Sequence, residues 1–285
     1  MDDPLTLRSL WRATTDVLGN RTEARWIWEV ATALDGHEFD DALDESVTER
    51  MVQHHDAMVA RYRAGEPLQY VLGRWGFRHL DLAIDRRVLI PRPETELVAE
   101  VAIELAAACP ESRVVADLGT GSGAIGLSLA YELPLDGTRV WLTDVSADAI
   151  AVARANLAGI GRSARNVRVE QGSWFDALPS GERFDVIVSN PPYVAVGSSE
   201  LDESVREWEP ELALLAGRDG LEAYRVIVPG AREWLRPGGA LVLEIGADQG
   251  DALREMLTAH GYTGVEIRPD LAGLPRIAVA RSVVV

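Results

Sequence analysis

Two periodicities divide this chain. Up to about residue 65, apolar residues recur at the three- and four-residue spacing of helices. Leu7, Leu10, Trp11, Thr14, Val17 and Leu18 form one stripe, which Gly19-Asn20 ends. Trp26, Ile27, Val30, Ala31 and Leu34 form a second, opened by Thr22-Glu23-Ala24-Arg25. Val47, Met51, Met58, Val59 and Tyr62 predict a third helix from about Ser46 to Arg63, which Gly65-Glu66-Pro67 stops. Short amphipathic helices of this kind make a small bundle with the tryptophan-rich stripe in its core.

Residues 68–90 change character. Leu68-Gln69-Tyr70-Val71-Leu72-Gly73, Trp75-Gly76-Phe77 and Leu80-Asp81-Leu82-Ala83-Ile84 are strand-like with glycine breaks, and predict a β-hairpin linker. From residue 94 onward helices and strands alternate. The strands are Arg113–Asp117, Arg139–Thr143, Val167–Glu170, Phe184–Ser189 and Ala240–Ile245, with two short ones near Thr263–Arg268 and Ile277–Ala280. Such alternation predicts an α/β domain, a mostly parallel seven-stranded Rossmann-like sheet with helices on both faces. The expected division is 1–66 helical bundle, 67–90 hairpin linker and 91–285 α/β domain. In such sheets ligands bind beyond the carboxyl ends of the strands, at the switch point.

Three features fall at such ends. Asn190-Pro191-Pro192-Tyr193 follows the strand Phe184–Ser189. Neither proline has an N–H and both have fixed φ, so the segment forms a rigid corner. It offers two acceptors, the Asn190 side-chain carbonyl and the Pro191 backbone carbonyl, with the flat face of Tyr193 beside them. That suits a planar NH2 group, of an amide or of a base. Asp117-Leu118-Gly119-Thr120-Gly121-Ser122-Gly123 ends the first strand and opens a helix, so backbone amides point into the site. Asp144 ends the next strand, where an acid can accept from both ribose hydroxyls of an adenosine cofactor. Gly121–Gly126 also matches the dinucleotide fingerprint, although the glycine nearest the strand is Gly119. A nicotinamide-dependent oxidoreductase built on that match leaves the corner and Trp174 unexplained, and a non-enzymatic binding module leaves the cofactor set without a purpose.

Composition narrows these choices. The formal net charge of −17 argues against a protein that lives on nucleic-acid backbones, which usually needs a basic face. The five histidines show no metal-ligand spacing, and His54-His55 is expected to face solvent. The single cysteine, Cys109, excludes an internal disulfide. With no apolar run of membrane-spanning length and no signal-peptide layout, it points to the cytosol.

The Asp117–Gly123 string resembles motif I of S-adenosylmethionine-dependent methyltransferases, in which the loop, here Gly119, Thr120, Gly121, Ser122 and Gly123, wraps the methionine moiety. That resemblance implies that Trp174, in Gly172-Ser173-Trp174-Phe175, flanks the adenine, and that the α/β domain is a class I methyltransferase fold. Asn-Pro-Pro-Tyr resembles the corner of methyltransferases acting on a planar NH2 nitrogen: adenine-N6 and guanine-N2 nucleic-acid enzymes, and protein glutamine enzymes. Pro67–Gly73, Val88–Val98 (with Pro91-Arg92-Pro93-Glu94-Thr95-Glu96), Glu209–Leu221 and Asp270–Arg276 each resemble segments of the PrmC/HemK family, the release-factor glutamine methyltransferases. Ala216 departs from that family's usual glycine. Pro93 stands where the sister family acting on a ribosomal-protein glutamine usually has serine. The resemblance implies methyl transfer to the glutamine N5 of the Gly-Gly-Gln loop of class 1 release factors. It implies S-adenosylmethionine as cofactor, S-adenosylhomocysteine as product and Asn190, Pro191, Pro192 and Tyr193 as the amide-binding corner. The expected form is a monomer that needs no metal, binds no nucleic acid directly and touches no membrane, with the helical bundle recognising the release factor.

Overall fold

Asn20 decides where the second helix begins. Gly19, in the left-handed region, returns its N–H to the Thr15 carbonyl and closes α1 (Leu7–Leu18). The Asn20 side chain then accepts from the Thr22 and Glu23 amides and opens α2 (Arg21–Thr32). α3 (His37–Asp41), α4 (Glu49–Arg63) and α5 (Leu68–Leu72) follow. This computed structural model describes residues 6–109, 112–198 and 202–283. The chain divides into two compact units, Met1–Arg74 and Trp75–Val285.

In the first unit Leu7, Trp11, Trp28 and Phe39 share one core, and Ile27, Met58, Leu68 and Val71 share another. Two sequence expectations fail here. Residues 68–72 form a helix, not a strand, because Leu68 and Val71 repeat at helical spacing onto Ile27 and Met58 and Gly73 caps the end in the left-handed region. His55 is buried, not solvent-facing. Its ring stacks on Trp28 at 4.0 Å, with Nε2 2.9 Å from the Thr14 hydroxyl, and burial holds its pKa below the ordinary value. His54 is exposed.

The expected linker is shared out. α5 lies in the first unit, whereas the hairpin of β1 (Arg74–Phe77) and β2 (Leu80–Ala83) is fastened to the second. Arg78 grips both Glu132 carboxylate oxygens, at 2.6 and 2.7 Å, and the Ala83 backbone exchanges hydrogen bonds with Asn156. α6 (Pro93–Ala107), β3 (Arg113–Leu118), α7 (Ala124–Glu132), β4 (Thr138–Asp144), α8 (Ala147–Gly159), β5 (Val167–Gln171), β6 (Phe184–Ser189), α9 (Glu203–Trp208), α10 (Glu222–Trp234), β7 (Leu235–Glu244), α11 (Gly250–Ala259), β8 (Thr263–Pro269) and β9 (Pro275–Arg281) complete the unit.

Its seven strands run β5-β4-β3-β6-β7-β9-β8, with β9 antiparallel to both neighbours and β3, β4, β5, β6 and β7 parallel. β3 is buried along its whole length and β6 nearly so, because helices cover both faces. Strand order reverses between β3 and β6, so the glycine loop and the Asn190 corner emerge side by side at the switch point. Among the described residues, no helix is long and apolar enough to cross a membrane.

Candidate active site

A cavity of about 470 Å³ opens at that switch point. Its first wall is the turn after β3. The Gly119 and Thr120 amides both donate to the Thr143 carbonyl of β4, which pins the loop to the neighbouring strand. Gly121 has φ +56, and a Cβ there would meet nothing within 4 Å. Its amide donates to Asp144 Oδ2 at 2.9 Å, and the Ser146 amide donates to Oδ1. Asp144 lines the cavity, and burial raises its pKa despite these amides. The Ser122 carbonyl accepts from Asn156. Trp174 also lines the cavity, with a left-handed φ of +46 that a bulky residue adopts only under constraint. Its ring reaches to within 3.5 Å of where a Gly119 Cβ would stand.

Asp117, at the base of this wall, is 1% exposed. Its Oδ2 accepts from the Thr120 hydroxyl at 2.6 Å and from the Gly126 amide, whereas its buried Oδ1 finds no partner among the described residues. Burial pushes its pKa up to about 6.

The opposite wall is the Asn190 corner. Asn190 and Pro192 line the cavity, whereas Pro191 and Tyr193 do not. Tyr193 is half-buried at the end of the corner. Its hydroxyl lies 3.4 Å from Glu244 Oε1, and its ring packs against the sheet core. Proximity to Glu244 and burial raise its pKa, burial being the larger cause. Asn190 Nδ2 donates to the Thr95 hydroxyl at 3.2 Å, and Thr95 donates to Glu244 Oε2 at 2.7 Å. Glu244 is 1% exposed, and burial lifts its pKa to about 7 against the opposing pull of Thr95 and Arg276.

From the far side, Gln249 donates to the Tyr193 carbonyl at 3.0 Å and to the Gly220 carbonyl at 3.2 Å. A Cβ on Gly220 would stand 2.3 Å from the Tyr193 carbonyl, so only glycine lets these two backbones approach. The segment after the corner returns along it through Val194 and Ala216, and Glu209 anchors it by accepting from the Ile90 amide and Arg92. Leu212, Ala213 and Val226 form an apolar rim.

Sequence reasoning overlooked Thr95, Glu209, Glu244 and Gln249 as parts of this wall. One signal was available for Glu244: a lone acid closing the apolar run Ala240–Leu243, the same pattern that Asp117 shows at the end of β3. Thr95 and Glu209 lay inside segments singled out for resemblance, with no local feature to pair them with the corner.

The first wall fits S-adenosylmethionine. The unpartnered Asp117 Oδ1 matches an ammonium group, Asp144 retains lone pairs for hydroxyl donors, and the bare Gly121 backbone leaves room for the ligand chain.

Comparison with known proteins agrees. A family model described as the PrmC N-terminal domain matches residues 13–73, and one described as the methyltransferase small domain matches residues 97–206. A release factor glutamine methyltransferase of Neisseria gonorrhoeae is 41% identical over 238 residues, covering 83% of this chain and 84% of its own. One of Moorella thermoacetica is 46% identical over 224 residues, covering 78% and 77%. A crystal structure of a methyltransferase from Pyrococcus furiosus superposes with a TM-score of 0.52 at 20% identity, over 81% of this chain and 99% of that one, which supports the fold alone. With relatives this similar over most of their length, the chain belongs to the release factor glutamine methyltransferase family.

Proposed function

We propose that this enzyme methylates the side-chain N5 of the glutamine in the Gly-Gly-Gln loop of class 1 release factors. One observation carries the reading: a single cavity is walled on one side by the glycine loop, Asp144 and Trp174 and on the other by Asn190 and Pro192. The name of the relatives supplies the release factor. Gly119–Gly123, Asp117, Asp144 and Trp174 hold S-adenosylmethionine, which supplies an electrophilic methyl group when bound.

An amide nitrogen is a poor nucleophile because its lone pair is shared with the carbonyl. Asn190 Oδ1 and the Pro191 carbonyl accept hydrogen bonds from the substrate NH2 and fix its position. As that nitrogen gains positive charge its N–H groups become stronger donors, so both acceptors bind the transition state more tightly than the ground state. Pro192 keeps the corner rigid. Tyr193, tied to Glu244 and Gln249, lays its ring over the plane of the amide.

The N-terminal unit recognises the release factor. Removal of residues 1–66 should then reduce activity on whole release factor far more than on a short Gly-Gly-Gln peptide; equal losses would make the unit a stabilising cap. The protein acts as a cytosolic monomer without contacting nucleic acid directly. The decisive experiment is mass spectrometry of release factor after incubation with enzyme and S-adenosylmethionine. A single added methyl on the Gly-Gly-Gln glutamine supports the reading, and an unmodified factor beside a methylated nucleic acid overturns it.

A further inference from the structure

The Asn190 amide can be held with either end toward the cavity, and only one end accepts hydrogen bonds. Its surroundings decide which. Glu244 is buried at the end of β7, facing the first turn of α6, where the helix dipole favours an anion. In its ionised form, above about pH 7, it can only accept, so the one hydroxyl proton of Thr95, at 2.7 Å, is then committed to it. The Thr95 oxygen, 3% exposed, is then left with lone pairs alone on its other side. Only the NH2 end of Asn190 can satisfy it, and that end stands 3.2 Å away. No described residue donates to Asn190 Oδ1, and this atom is not among the buried side-chain atoms without partners.

We propose that Thr95 and Glu244 are positioning residues that fix the Asn190 amide with its carbonyl oxygen toward the cavity. The relay runs one way: Asn190 N–H to Thr95, Thr95 O–H to Glu244. It joins α6, β6 and β7 through residues 95 and 149 positions apart, so packing of the whole unit aims one oxygen atom. This inference rests on the acceptor role of Asn190 proposed above.

The test compares Thr95→Val, Thr95→Ser, Glu244→Gln and Asn190→Ala in the full-length enzyme. The measurements are kcat and KM on release factor, calorimetric Kd for S-adenosylmethionine, and the melting temperature. Valine keeps the shape of threonine and removes the hydroxyl; serine keeps the hydroxyl. Thr95→Val should lower kcat by about 10- to 100-fold, the loss expected when a reacting group is misplaced, with KM and Kd changed by less than about two-fold. Thr95→Ser should recover most of the loss. Glu244→Gln should fall like Thr95→Val, since a carboxamide can donate to Thr95 and release the Asn190 orientation.

Wild-type kcat in Thr95→Val beside an inactive Asn190→Ala overturns the relay and leaves the acceptor role of Asn190 standing. Equal losses in the valine and serine variants, tracking a lowered melting temperature, overturn it in favour of a structural role. Full turnover by Asn190→Ala removes the acceptor role and the relay together.

Discussion

The two walls of the cavity are held by different kinds of contact. The glycine-loop wall is mostly backbone, supported from nearby: Thr120 on Asp117 three residues away, Gly126 on Asp117 nine away, and Gly121 on Asp144 across one strand pairing. The corner wall is held by side chains from afar: Thr95 to Asn190, Glu209 to Ile90 at a separation of 119, and Gln249 to Tyr193 at 56. A wall made of backbone tolerates changes in neighbouring side chains, because its donors belong to every residue. A wall aimed by remote side chains fails when any one of them is lost. The cofactor side is therefore expected to respond to mutation in affinity, and the amide side in turnover.

Asn190→Ala is the sharpest break. It should lower kcat on release factor by about 10²- to 10³-fold, the scale for losing one preorganised transition-state hydrogen bond, while calorimetric affinity for S-adenosylmethionine changes little. Near wild-type turnover would remove the corner from the mechanism. Gly220→Ala tests support from the far side. The added Cβ must displace the Tyr193 carbonyl and the corner with it, so kcat should fall by about 10²-fold without direct contact with either ligand. Unchanged kinetics would mean that the corner tolerates displacement.

On the other wall, Asp144→Ala should weaken S-adenosylmethionine binding by about 1–3 kcal/mol, with kcat at saturating cofactor largely preserved. A drop in kcat at saturation, with Kd intact, would erase the distinction between the walls.

The gentlest effect is on stability. Asp117 and Glu244 are one buried carboxyl from each wall, with pKa values raised from ordinary carboxyl values to about 6 and about 7. Through these two groups the folded protein binds more protons than the unfolded chain between about pH 4 and pH 7, and their share of the unfolding free energy falls as pH rises through that window. Their contribution is full below the unfolded values and is lost above pH 6 for Asp117 and pH 7 for Glu244. Urea unfolding at pH 5, 6, 7 and 8 should show this slope flattened in Asp117→Asn and in Glu244→Gln. A slope identical to wild type in both would mean that neither carboxyl titrates as described.

Much of this architecture can be read along the chain. The central strands read as largely apolar runs, and the helix stripes, caps and glycine punctuation set boundaries within a few residues, as at α1 and β6. Residues 68–72 escaped because so short a segment, Leu68-Gln69-Tyr70-Val71-Leu72, is compatible with both periods, and only the packing of Leu68 and Val71 onto Ile27 and Met58 chooses the helix. His55 escaped because its polar neighbours hide a burial that Trp28 and Thr14 create.

By itself, the sequence determined the α/β alternation, the glycine turn, the acid after the second sheet strand and the rigidity of the Asn-Pro-Pro-Tyr corner. These depend on φ restrictions, missing N–H groups and periods of two and 3.6, which act between neighbours. Only the tertiary structure decided that the Tyr193 hydroxyl meets Glu244, that Asp117 Oδ1 finds no partner among the described residues, and that Thr95 and Gln249 brace the corner. The physical reason is that a hydrogen bond between side chains needs both partners within about 3 Å and correctly aimed. For residues 95 positions apart, that distance is set by the sheet order and by nothing local.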